Sequence, residues 1–114
     1  MSKFFDSEIV RKELDEIYQL QKRLQQVFIT LPRLSLDEKQ EFIRLMLLLI
    51  EKQEIMYFRM KLSDDPDSVE MIERIRESAL LMGLSPQTSL DQLFTDMRKT
   101  LERLEKKLDR GNGM

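Results

Sequence analysis

The stretch RLMLLLIEKQEIMYFRMKL, from Arg44 to Leu62, decides how the rest of the chain is read, because six apolar residues stand in a row from Leu45 to Ile50. At helical spacing Phe42, Met46, Leu49, Met56 and Met60 form one stripe, and Ile43, Leu47, Ile50 and Tyr57 form a second. Leu45, Leu48 and Ile55 begin a third. A helix with one neighbour needs an apolar stripe only about 100° wide. Here the middle of the helix is apolar over most of its circumference. A membrane is not the explanation, since the run is short and is followed by Glu51, Lys52, Gln53 and Glu54, each costly in hydrocarbon. The helix is therefore expected to be covered by protein on several sides.

Its ends are marked by local chemistry. Ser35 and Glu38 form a capping box, in which the serine side chain takes one free backbone donor and the glutamate reaches back to another. The segment LSDDPDS breaks the chain again, with Asp65 as a cap and Pro66 at a first helical position, where its missing N–H is harmless. The second helix thus runs from about Leu36 to about Leu62, on the order of 40 Å.

Upstream, Asp6 or Ser7 can cap a first helix, with Phe5 placed to staple onto Val10. Val10, Leu14, Ile17, Gln21, Leu24, Phe28 and Leu31 recur at alternating spacings of four and three, a heptad seam with one polar member. Gln21 either lies at the edge of that seam or fixes its register through a polar partner. Pro32 disfavours helical geometry at Leu31, so the first helix is expected to end there and to form an antiparallel hairpin with a second helix of matching length.

Downstream, a shorter third helix is expected over residues 66–82, with Val69, Ile72, Ile75, Ala79 and Leu80 on one stripe and Gly83 as the left-handed residue that ends it. Two starts are open for the fourth helix: Ser85-Pro86, or Ser89 with Gln92 a turn later. It runs to about Asp109, with Leu90, Phe94, Met97, Leu101, Leu104 and Leu108 at heptad spacing. Arg103, Lys106, Lys107 and Arg110 suit its negative end. The pattern predicts an all-α, up-down bundle of three long helices and one shorter one, a single domain over residues 1–110, and a disordered tail at 111–114.

Composition narrows the function. The 114 residues carry 19 Lys and Arg against 21 Asp and Glu, a formal net charge of −2, which leaves no long-range field for nucleic-acid phosphates. There is no Cys and no His, which removes thiol chemistry and the commonest general base and transition-metal ligand. The N-terminus has no apolar stretch of signal-peptide length. A cytoplasmic protein is expected, without nucleic acid, membrane or cofactor among its partners.

A short domain exposes much of its surface, and a short third helix covers little of a 40 Å neighbour, so a second copy of the chain or another protein is the natural cover for the remainder. A homodimer is the expected assembly. Leu45, Leu48, Ile55, Tyr57, Phe58 and Arg59 are the expected interface, because large rings and a forked cation bury area at low entropic cost. The bland alternative is a closed monomeric bundle with this helix at its centre. The eight Met residues, Met46, Met56, Met60, Met82 and Met97 among them, fit either, as thioethers fill irregular cores and also line adaptable surfaces.

Chemistry has one weak foothold. Glu13/Glu16, Glu38/Glu41, Glu51/Glu54 and Glu70/Glu73 are carboxylate pairs about one helical turn apart, a spacing that can chelate Mg²⁺. Glu51, Glu54, Glu70 and Glu73 would carry the alternative function, a magnesium-dependent hydrolase of a small nucleotide. With so many acids such pairs also arise by chance as solvated faces, and no phosphate loop, nucleophile elbow or Ser/Lys dyad accompanies them. No catalytic, cofactor or metal residue is assigned. A non-enzymatic adaptor or regulatory partner is the expected role.

FFDSEIV at Phe4–Val10, EFIRLMLLLIEKQEIMYFRMKLSDD at Glu41–Asp65, GLSPQ at Gly83–Gln87, LFTDM at Leu93–Met97 and TLERLEKKL at Thr100–Leu108 together resemble a small family of unknown function typical of cyanobacteria. The resemblance covers nearly the whole chain, in order. It implies a short cytoplasmic all-helical protein and carries over no catalytic residue. Between Phe28 and Leu36 this chain departs from the family pattern, being less polar and without glycine.

Overall fold

The Ser35 hydroxyl accepts the Glu38 amide at 3.2 Å, and the Glu38 carboxylate accepts the Ser35 amide at 3.1 Å. The capping box therefore forms in full and starts α2, Leu36–Leu62, where its spacing requires. The computed structural model describes residues 3–81 and 83–112. Among them the elements are α1 (Glu8–Phe28), a 3₁₀ turn (Leu31–Arg33), α2, α3 (Pro66–Leu81) and α4 (Leu90–Asn112), with no strand. The chain is all-α.

Ser7, not Asp6, caps α1: its hydroxyl accepts the Val10 amide at 3.4 Å. The helix ends at Phe28, three residues short of Leu31. The proline ring at position 32 would strike the carbonyl four residues back, that of Phe28, so the last helical turn cannot continue. The chain tightens there, with the Thr30 amide and hydroxyl both donating to the Val27 carbonyl at 3.0 Å. With 21 residues against 27, α1 is about 31 Å long and α2 about 40 Å. The hairpin is thus of unequal arms, not of matching ones.

Asp65 opens α3 and anchors the N-terminal segment as well. One carboxylate oxygen accepts the Asp67 amide and the other accepts the Phe4 amide, both at 2.9 Å. At the far end of α3 the Leu84 amide donates to the Ala79 carbonyl at 2.9 Å and the Gly83 amide to the Leu80 carbonyl at 3.1 Å, a Schellman closure with Gly83 at φ +103°. Met82, expected to be the last residue of that helix, lies outside the described residues. Of the two possible starts for α4, Ser89 is used, its hydroxyl accepting the Gln92 amide at 3.1 Å. Ser85 and Pro86 build a separate turn, in which the Thr88 amide donates to the Ser85 carbonyl. The fourth helix runs past Asp109 to Asn112, so the segment expected to be a loose tail begins as helix. Residues 113 and 114 lie outside the described residues.

The second helix is the hub, and α1, α3 and α4 each pack chiefly on it. Both long neighbours run antiparallel to it. Lys52 and Arg59 pair with Glu16 and Glu13 of α1, while Lys61, Glu54 and Gln40 meet Asp91, Arg98 and Asp109 of α4, rising numbers facing falling ones each time. On the α1 side Val10 and Ile17 close over Met56 and Met60. On the α4 side Ile43, Ile50 and Tyr57 close over Leu90, Phe94 and Leu101. Ile72 and Ile75 of α3 touch both clusters. Held near Phe4 at its start and packed towards Leu90 through Ala79 and Leu84 at its end, α3 crosses from the α1 side to the α4 side over one half of α2. The result is a slab of 54 × 33 × 21 Å, a layer of three helices with the fourth laid across part of it.

Candidate interaction surfaces

The geometry of α2 divides the six residues expected at an interface. Tyr57 is only 4% exposed and packs on Phe94 with ring centroids 5.7 Å apart, so it belongs to the core and not to a contact surface. Burial, and next the charge of Asp91, push its phenol above the ordinary tyrosine range. Phe58, one residue on, points about 100° away and is 44% exposed. Leu48 and Ile55 stand 40% and 44% exposed, and Leu62, seven residues after Ile55, is 85% exposed. Leu45 is half-buried. Arg59 is exposed, its guanidinium forming an ion pair with Glu13 of α1 at 3.0 Å.

Together Leu45, Leu48, Ile55, Phe58 and Leu62 make a stripe on the outer side of the slab, spaced to stay on one face of α2 for more than four turns. The inter-helix ion pairs lie along its two edges. Lys52 to Glu16 at 2.6 Å and Arg59 to Glu13 hold α1 on one side. Arg98 to Glu54 at 2.7 Å and Lys61 to Asp91 at 3.1 Å hold α4 on the other. Lys52 keeps the Glu16 carboxyl below the ordinary carboxylate range, mainly by its hydrogen bond and then by its charge. Asp91 holds Lys61 above the ordinary lysine range in the same two ways.

A second apolar surface lies on the opposite side, and no run or stripe in the sequence marks it as one. Because α3 crosses only half of α2, the other half of the α2–α4 seam is left open as a trough of about 600 Å³. Its floor is Phe42, Ile43 and Met46 of α2 with Leu101, Leu104 and Leu108 of α4, and Leu31 and Pro32 of the 3₁₀ turn close one end. Among the described residues its charged lining is Lys39 and Lys107. Past Met46 and Leu101 a shallower depression of about 290 Å³ continues towards Ile50 and Met97. The signal was present in the lengths: sixteen residues of α3 against twenty-seven of α2 leave about 16 Å of seam uncovered.

The carboxylate pairs do not converge. Glu13 and Glu16 answer Arg59 and Lys52, Glu38 is held in the capping box, and Glu41 pairs with Arg44 at 2.9 Å. Glu54 takes Arg98, Glu70 takes Arg74 at 2.6 Å, and Glu51 stays exposed on the outer face. Among the described residues no three acidic side chains gather into a group able to hold a metal ion. No described helix is long and apolar enough to cross a membrane.

An all-helical slab built on one central helix, with two separate apolar surfaces, is the class of protein these features define. The chain belongs to a family described as a domain of unknown function, DUF1825, whose model matches residues 2–108. No curated protein and no solved structure matches it.

Proposed function

We propose that this chain is a non-enzymatic helical protein that pairs with a second copy of itself through the outer face of α2 and acts in the cytoplasm as an adaptor or regulatory partner of another protein. The observation that carries the reading is the stripe Leu48, Ile55, Phe58 and Leu62, left open by both α1 and α4. Large apolar side chains recurring in the open along one helix face mark a contact site.

Apart from Leu62, which falls opposite Glu41, the stripe is self-complementary. Two copies of α2 laid antiparallel about a two-fold axis between Glu51 and Lys52 place Leu48 opposite Ile55, Leu45 opposite Phe58, and Glu51 opposite Lys52. Arg44 and Arg59 also meet in that register, and each already has an acid from its own chain, Glu41 and Glu13. The lack of His and Cys in the sequence supports a role without catalysis.

Sedimentation equilibrium at high micromolar concentration tests the reading. The native chain is expected to run as a dimer and the Leu48→Glu/Ile55→Glu variant as a monomer of unchanged helicity. A native chain that is monomeric throughout the range removes the proposal.

A further inference from the structure

The trough on the other side of the slab has a different character from the outer stripe. Its floor is apolar, and among the described residues its charged lining is Lys39 and Lys107, with Asp96 bordering the depression that continues it. Most cations at the helix seams are answered: Lys52, Arg59, Lys61 and Arg98 all have carboxylates. Lys39 and Lys107 have no ion pair among the described residues. The nearby acid Asp109 is drawn to the other edge of α4, where Gln40 donates to it at 2.9 Å. A chain with net charge −2 thus keeps two lysines, without an ion pair among the described residues, beside an open apolar trough.

The shape says what fits. The other half of the same seam is already covered by a helix, α3, whose Ile72, Ile75 and Ala79 lie on the cluster of Tyr57, Leu90 and Phe94. Met46 lies three turns before Tyr57 on the same face of α2, so the trough continues the surface on which α3 is seated. From Met97 to Leu108 it is open along about three turns of α4, enough for an apolar row at i, i+4, i+7 and i+11 of an incoming helix.

We propose that this trough receives an amphipathic helix from a second protein, its apolar row on Met46, Leu104 and Leu108 and its flanks carrying Asp or Glu towards Lys39 and Lys107. This deepens the adaptor reading by naming the partner's chemistry and rests on it, but it does not depend on pairing through the outer stripe. An acidic flank gains both selectivity and encounter rate from the two lysines.

Fluorescence anisotropy with three labelled probes tests it: an eighteen-residue helical peptide with Leu at those four positions and Glu flanks, the same peptide with Lys flanks, and palmitate. The acidic peptide is expected to bind at least about tenfold more tightly than the basic one, and Lys39→Glu/Lys107→Glu is expected to invert that preference. Leu104→Glu, at a position already 43% exposed, is expected to abolish binding with helicity intact. Leu48→Glu/Ile55→Glu is expected to keep it, which separates this proposal from the dimer. Binding of palmitate alone, equal binding of both peptides, or no binding overturns the proposal. So does loss of the dimer in Leu104→Glu, because a second copy would then be the occupant.

Discussion

Tyr57 and Phe58 are neighbours in the chain and face opposite fates: the first lies 4% exposed against Phe94, the second 44% exposed on the outer stripe. A single step of about 100° along α2 separates a core residue from a surface one. Substitution at the two positions should therefore diverge. Tyr57→Ala is expected to lower stability by about 3 kcal/mol or more, as loss of a buried ring does, and Phe58→Ala by less than about 1 kcal/mol. Urea titration of the two variants under conditions that keep both monomeric makes the comparison, and similar midpoints would contradict the packing.

Gly83 closes α3 at φ +103°, and a Cβ placed there meets nothing within 4 Å. Conformation alone opposes a side chain. Gly83→Ala is expected to cost about 1 kcal/mol, with Gly83→Asn costing less because asparagine tolerates the left-handed region. Thermal unfolding followed by circular dichroism reads the order of the three proteins.

The capping box is separable from the rest of α2. Ser35→Ala removes the acceptor for the Glu38 amide and is expected to cost about 1 kcal/mol. It should also let the Glu38 carboxyl titrate closer to its ordinary value, since the Ser35 backbone amide and then its side chain hold it low. Carbon-detected NMR titration of Glu38 in the native chain and the variant measures that change directly.

Stability should fall at both ends of the pH scale. Glu16 and Glu38 bind protons less readily folded than unfolded, so what they contribute is complete above the ordinary carboxylate pKa and drains away as pH falls through their lower folded values. Lys61 and Tyr57 hold protons more tightly in the folded chain, so their contribution is complete below the ordinary values and is lost as pH rises through the raised ones. Denaturant midpoints are expected to be level between about pH 6 and pH 9 and to drop below about pH 4 and above about pH 10. Lys52→Met should flatten part of the acid limb.

The parts of the fold that were legible in the sequence are those written in local chemistry. Ser35 with Glu38, the Asp65-Pro66 break and Gly83 each act over a few residues, and the ends of α2 and α3 fall where those signals put them. The end of α1 lies three residues before Leu31 because Pro32 acts backwards on Phe28 and not only on Leu31. Tyr57 could not be told from Phe58 by composition or by row, since which of them is covered depends on where α4 docks. Leu104 and Leu108 read as members of a seam, and α4 does present them to α2. That the seam is roofed at one end and bare at the other is set by the path of α3, a relationship among distant parts of the chain that no periodicity records.

The hub arrangement also bears on how the chain reaches its native state. The first helix precedes α2 and α3 follows it directly, each joined to it by a connection of a few residues, and α4 is reached after one short excursion. The α1–α2 and α2–α3 contacts join segments adjacent in synthesis and lose little entropy on closing, whereas the α2–α4 contact, the most extensive, must close a loop that contains all of α3. A chain organised around its second helix can zip outward from that helix in either direction, with Ile72 and Ile75 of α3 and the Phe4–Asp65 hydrogen bond joining the two arms once both have docked.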